Sequence, residues 1–142
     1  MILQMSDNSG VDITILDLDV NPTVTDLTTQ LFNLEPNIAS NYVKLILTYM
    51  VNGYMNTLTI GKGNKYSFEL IGTKNNVVVN NYNFNVMIND DYGDVNLVAT
   101  KRMFLTQYKN IFKGGVRTEL NKVYPDLAID LVLNHIETFV NN

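Results

Sequence analysis

The sequence predicts an α+β fold: an antiparallel β-sheet or immunoglobulin-like sandwich over about residues 10–106, with a C-terminal helical element over about 107–142. Three observations lead there. Apolar and polar residues alternate through most of the first hundred positions, the period-two pattern of strands with one buried face. Asn52-Gly53 separates two such runs, and this dipeptide tolerates positive φ at both positions, as a type I′ hairpin turn demands. Beyond about residue 100 the apolar spacing lengthens to three and four. The 142 residues make one domain's worth of chain, enough to bury a core without cross-links.

Residues 11–20 predict a strand. Ile13 and Ile15 share one phase while Leu16, Leu18 and Val20 share the other, so a bulge or bend is expected between them. The stretch from 22 to 51 admits helix or strand. Asn21-Pro22 can open a helix with Leu27, Leu31 and Leu34 on one side, but the Thr-rich run Thr23–Thr29 favours extended backbone. Val43, Leu45, Leu47, Tyr49 and Val51 alternate up to Asn52-Gly53, and Tyr54–Ile60 returns, which predicts a hairpin. The competing reading is a helix through Ile38, Tyr42, Leu45, Ile46 and Tyr49, stopped by Gly53.

Gly61–Asn64 and Asn89–Asp94 read as turns. Between them, Tyr66, Phe68 and Leu70 alternate, Val77–Val79 forms a short apolar run, and Tyr82, Phe84, Val86 and Ile88 alternate again. Val95, Leu97 and Ala99 predict a further strand running on through Met103 and Leu105. Phe104, Tyr108, Ile111 and Phe112 then take helical spacing, and Gly114-Gly115 breaks it. Val116, Leu120 and Val123 suggest a short helix, and Pro125-Asp126 opens a last one to about Phe139.

The last helix is apolar over most of its circumference. Asp126, Asp130, Asn134, Glu137 and Asn141 occupy one narrow polar stripe. A small sheet covers one side only. The sequence therefore predicts a homo-oligomer in which Leu127, Leu131, Val132, Ile136 and Phe139 lie at the subunit interface.

Composition narrows the function classes. There are no cysteines, which removes disulfides, thiolate metal sites and cysteine nucleophiles. His135 is the only histidine and reads as structural. No Gly-x-Ser-x-Gly elbow is present, and Gly61-Lys62-Gly63 lacks the spacing of a phosphate loop. Asp90, Asp91 and Asp94 cluster in one loop and Asp12, Asp17 and Asp19 in another, without the twelve-residue calcium-loop pattern. The expectation is a protein that is not an enzyme, with no catalytic residue, no cofactor and no assigned metal site.

The amino-terminal residues lack the basic and apolar regions of a leader, and no run is long enough to span a membrane, so the expected setting is cytoplasm or virion. The net charge of −4 argues against general polyanion binding. One segment runs against that balance: Lys101, Arg102, Lys109, Lys113, Arg117 and Lys122 face a single carboxylate, Glu119, within residues 101–122. Beside a Tyr- and Phe-bearing sheet, these six define the alternative expectation, a single-stranded nucleic-acid-binding module. A small inhibitor or anti-defence protein is a third.

The order Tyr42-Val43-Lys44-Leu45-Ile46-Leu47, Asn52-Gly53, Tyr66-Ser67-Phe68-Glu69-Leu70 and Tyr82-Asn83-Phe84-Asn85-Val86-Met87-Ile88, ahead of Lys101-Arg102-Met103-Phe104, resembles the immunoglobulin-like N-terminal domain of phage upper baseplate proteins. The resemblance spans about residues 10–108, with 109–142 in the place of a trimerising helix. It implies a virion structural or assembly protein that works by contact with itself and with other virion proteins. The tail departs from that family at Gly114-Gly115 and lacks sustained heptads.

Overall fold

The computed structural model describes residues 1–19, 42–62, 65–87 and 93–141. Six strands form one antiparallel sheet: β1 (Ile2–Ser6), β2 (Ile13–Asp17), β3 (Lys44–Val51), β4 (Tyr54–Gly61), β5 (Lys65–Lys74) and β6 (Val77–Met87). Their order across the sheet is β2-β1-β3-β4-β5-β6. Three helices follow: α1 (Gly93–Ile111), α2 (Gly115–Asn121) and α3 (Asp126–Asn141). The fold is α+β, with the last helix C-terminal. Among the described residues the strands make a single sheet, so the sheet alternative holds here rather than two packed layers of strands.

The hairpin reading of residues 44–61 is correct, and the competing helix does not form there. Asn52 (φ 55°) and Gly53 (φ 80°) make the two-residue turn, and Val51 pairs with Tyr54. Leu45, Leu47, Tyr49 and Val51 are buried on one face with Leu58 and Ile60 opposite them. A second turn of the same type, Asn75 (φ 52°) and Asn76 (φ 63°), joins β5 to β6. It makes Val77–Val79 and the later alternating run one strand of eleven residues. The expected irregularity in β2 is present. Leu3 and Gln4 pair with Leu16 and Thr14, which leaves Ile15 as the extra residue where the phase switches.

Two boundaries differ from expectation. Strand pairing begins at Ile2, well before residue 10, because Met1, Leu3 and Met5 already alternate toward the core. The strand expected over Val95–Leu105 is the first half of α1. Thr100, Phe104, Tyr108 and Phe112 are buried at a spacing of four, one helical face, while Val98 and Met103 point to solvent. About three turns of consistent helical spacing outweigh a short run that happens to alternate. The undecided segment from 22 to 41 lies outside the described residues, as do Asp90, Asp91 and the turn at Gly63-Asn64.

The helices cover one face of the sheet. The Phe104 ring lies 5.8 Å from that of Phe68 and 5.3 Å from that of Phe84, and Phe112 lies 5.0 Å from Tyr49. Leu120 of α2 and Ala128, Ile129, Val132, Ile136, Phe139 and Val140 of α3 complete the core. The other face carries Thr48, Thr57, Thr59, Ser67 and Glu69, alternating with the core residues along the same strands.

The last helix corrects the interface expectation. Val132, Ile136 and Phe139 are core residues of the lone subunit, and Leu131 packs partly against that core. Of the five proposed interface residues only Leu127 is exposed, at 53%. The physical reason is that α1 and α2 supply the walls the sheet cannot. Tyr108 of α1 donates to Glu137 at 3.1 Å, and Arg117 of α2 grips Asp126 and Asp130. Sheet and neighbouring helices together enclose the helix within its own domain.

Candidate functional site

The six cations expected to form a basic surface are divided by the fold. Lys101 donates to the Asn141 carbonyl at 2.9 Å, at the C-terminal end of α3, where a cation meets carbonyls left without helical partners. Arg117 bridges Asp126 and Asp130, and Lys122 pairs with Glu119 at 2.7 Å. Arg102, Lys109 and Lys113 are exposed, the first two seven residues apart on one side of α1. Three of the sheet aromatics are turned inward. Tyr66, Phe68 and Phe84 pack under Phe104 on the inner face of α1, where no base could stack on them.

The other candidates also have structural roles. Asp12 pairs with Lys44 at 3.2 Å. Asp19 accepts from the Met1 amino group at 2.9 Å and from the Tyr124 hydroxyl, which hold its carboxyl below the usual range. Among the described residues no three carboxylates or histidines come together as a metal site would need. No helix among them is long and apolar enough to cross a membrane. Lys62 is buried: its Nζ donates to the Phe139 carbonyl and lies over the same residue's ring. His135 is half-buried, and its Nε2 is enclosed without a hydrogen-bond partner.

Exposed apolar side chains gather at one end of the sheet and along its β6 edge. Val77, Val78, Val79 and Tyr82 are 62%, 57%, 51% and 46% exposed. Met50, Met55 and Tyr54 stand out from the neighbouring β3–β4 hairpin. Isolated exposed apolar residues are ordinary, but a cluster on two adjacent hairpins is not.

Comparison with known proteins finds no matching family model, curated protein or solved structure.

The site must therefore be read from its own chemistry. β6 is an edge strand. One side pairs with β5, and among the described residues no strand lies beyond it. It carries no charged residue and no proline from Val77 to Met87. Edge strands are commonly blunted by charge, proline or short length. The opposite edge follows that rule: β2 has five residues, ends at Asp17 and is flanked by the Asp12–Lys44 ion pair. A bulge interrupts the β5–β6 register, with Gly72 opposite Asn80, Thr73 opposite Val78, and Val79 left over.

Beside that bulge, a groove of about 450 Å3 opens between the β3–β6 surface and the helical layer. Tyr49, Tyr54, Leu70, Val79, Ile111 and Val116 give it apolar walls, and Asn56 and Asn80 flank Gly72 at its floor. A Cβ at Gly72 would stand 3.2 Å from that of Asn80 and 3.4 Å from Asn56 Oδ1, so glycine sets the groove's depth. Sequence reasoning singled out none of this surface. The signal was present in the uncharged stretch between Lys74 and Asp90, which contains all of β6.

Proposed function

We propose that this chain is a non-enzymatic structural or assembly protein that works by protein–protein contact, as a component of a phage virion or its assembly line. The observation that carries the reading is the β6 edge, an uncharged strand of eleven residues that bears exposed valines and a tyrosine. Such an edge offers backbone donors and acceptors together with apolar area, the two things strand addition uses. The contact surface is this edge and the adjoining hairpin tips, in place of the last helix. The virion setting is supported by the strand pattern's resemblance to baseplate domains alone. Contact as the mode of action is supported by the surface itself.

Sedimentation velocity across the micromolar range tests the reading. The expected result is a mass above that of one chain, rising with concentration. A species that stays at one chain's mass throughout would remove it.

The nucleic-acid alternative keeps Arg102, Lys109 and Lys113 as exposed cations, while the exposed Lys122 is paired with Glu119. Three phosphate contacts give weak, salt-sensitive binding. Titration of labelled single-stranded DNA at low salt separates it from the assembly reading.

A further inference from the structure

We infer that β6 is completed by β6 of a second copy of this chain, running antiparallel, so that two six-stranded sheets join into one. This rests on the contact reading above and names the partner.

The identity of the occupant follows from the chemistry of the strand. A twofold interface must be complementary to itself, because the same patch meets its own copy. Charges constrain such a join, because any register that brings like charges opposite is disfavoured. β6 has none, and none occurs from Asn75 to Asn89. Its exposed polar groups are carboxamides. Asn81, Asn83 and Asn85 stand two residues apart, and Asn83 Nδ2 already donates to Asn81 Oδ1 at 3.3 Å. A carboxamide donates and accepts, so asparagine opposite asparagine pairs in either orientation. With Asn83 on the twofold axis, Asn81 of one strand faces Asn85 of the other and Tyr82 faces Phe84, so carboxamides meet carboxamides and rings meet rings. An acidic or basic peptide laid on this strand would find no opposite charge.

The two edges differ in a way that favours one join over a filament. β2 is short and guarded by Asp12, Asp17 and Lys44, whereas β6 is long and uncharged and, among the described residues, has no strand beyond it. Pairing β6 with β6 uses up the open edge and leaves two guarded ones outside. The assembly closes at two copies.

The test uses the full chain, which lacks cysteine and so makes each introduced thiol unique. Single cysteines are placed at Asn81, Asn83 and Asn85, then oxidised alone and in pairwise mixtures. In parallel, Val78→Lys adds a charge to the edge, and Val123→Lys adds the same charge at an exposed valine between α2 and α3. The expected results are a dimeric parent, a disulfide-linked dimer from at least one cysteine or mixture, and dissociation of V78K only. A lysine set into an uncharged join with no opposite charge to meet should raise its Kd by about tenfold or more. An oligomer that survives V78K and gives no cross-link at any position would overturn β6 pairing while leaving assembly by another surface standing. A parent of one chain's mass at all concentrations would overturn both. The cysteine series decides the question even if V78K folds poorly.

Discussion

Lys62 meets Phe139 twice: its Nζ donates to the Phe139 carbonyl at 2.7 Å and lies 4.3 Å from the centre of the Phe139 ring. One side chain from the end of β4 thereby closes the last turn of α3 and ties the sheet to the helix that follows it in space. Burial and the neighbouring Lys101 push the Lys62 amine down to about 8, against the carbonyl and ring that hold its charge.

That depression gives a pH dependence of definite sign. The unfolded chain holds this proton up to the ordinary 10.5, and the native chain releases it near 8. Between those values the unfolded state binds more protons, so native stability rises with pH. Urea denaturation of the parent and of Lys62→Met at pH 7 and pH 9.5 checks it. The stability difference should move in the parent's favour at the higher pH. An unchanged difference would mean that Lys62 titrates normally.

His135 acts in the same direction at lower pH. Burial holds its imidazole below the usual 6.5, and Nε2 has no partner to share a proton with. Its stability contribution is complete above 6.5 and declines as pH falls toward the native value, because only the unfolded chain readily takes the proton. His135→Gln should flatten that part of the acid limb in a pH series of urea midpoints. An NMR titration should place the native His135 midpoint below 6.5.

Phe104 is the packing centre between α1 and the sheet, within ring contact of Tyr66, Phe68 and Phe84. Phe104→Ala should cost about 3–5 kcal/mol by urea denaturation, as large-to-small changes in closed cores do. A cost near zero would mean that the aromatic cluster is not a closed core.

Tyr124 links the start of the chain to its helical end. Its hydroxyl donates to Asp19 and accepts from the Met1 amino group. Tyr124→Phe should lower stability at neutral pH by about 1 kcal/mol. It should also move the Asp19 carboxyl up toward its ordinary 3.8, since that hydrogen bond is the largest cause of its depression. Carboxyl titration followed by NMR reads the second effect independently of the first.

Gly53 tests the hairpin. Its φ of 80° is open to glycine and strained for side chains, and nothing lies within 4 Å of where a Cβ would stand. Gly53→Ala should therefore cost about 1 kcal/mol through backbone strain alone.

Local chemistry determined much of this protein without help from the fold. Asn52-Gly53 specified a two-residue turn because few other dipeptides accept positive φ twice, and the alternation of Leu45, Leu47 and Tyr49 set which face of β3 is buried. The switch of phase at Ile15 and Leu16 announced a bulge, and Gly114-Gly115 and Pro125 marked the ends of helices. Tertiary structure decided the rest. Val95–Leu105 alternates locally but is helical, because a face built from Thr100, Phe104, Tyr108 and Phe112 buries more than a short strand would. The apolar girth of α3 was legible, but not who covers it. Coverage depends on where α1 and α2 land, and Val132, Ile136 and Phe139 are enclosed by partners distant in sequence. The exposed β6 edge was hidden for the same reason. A strand's own residues carry the same pattern at the edge as in the middle, and only the order of strands shows that, among the described residues, one side of β6 has no neighbouring strand.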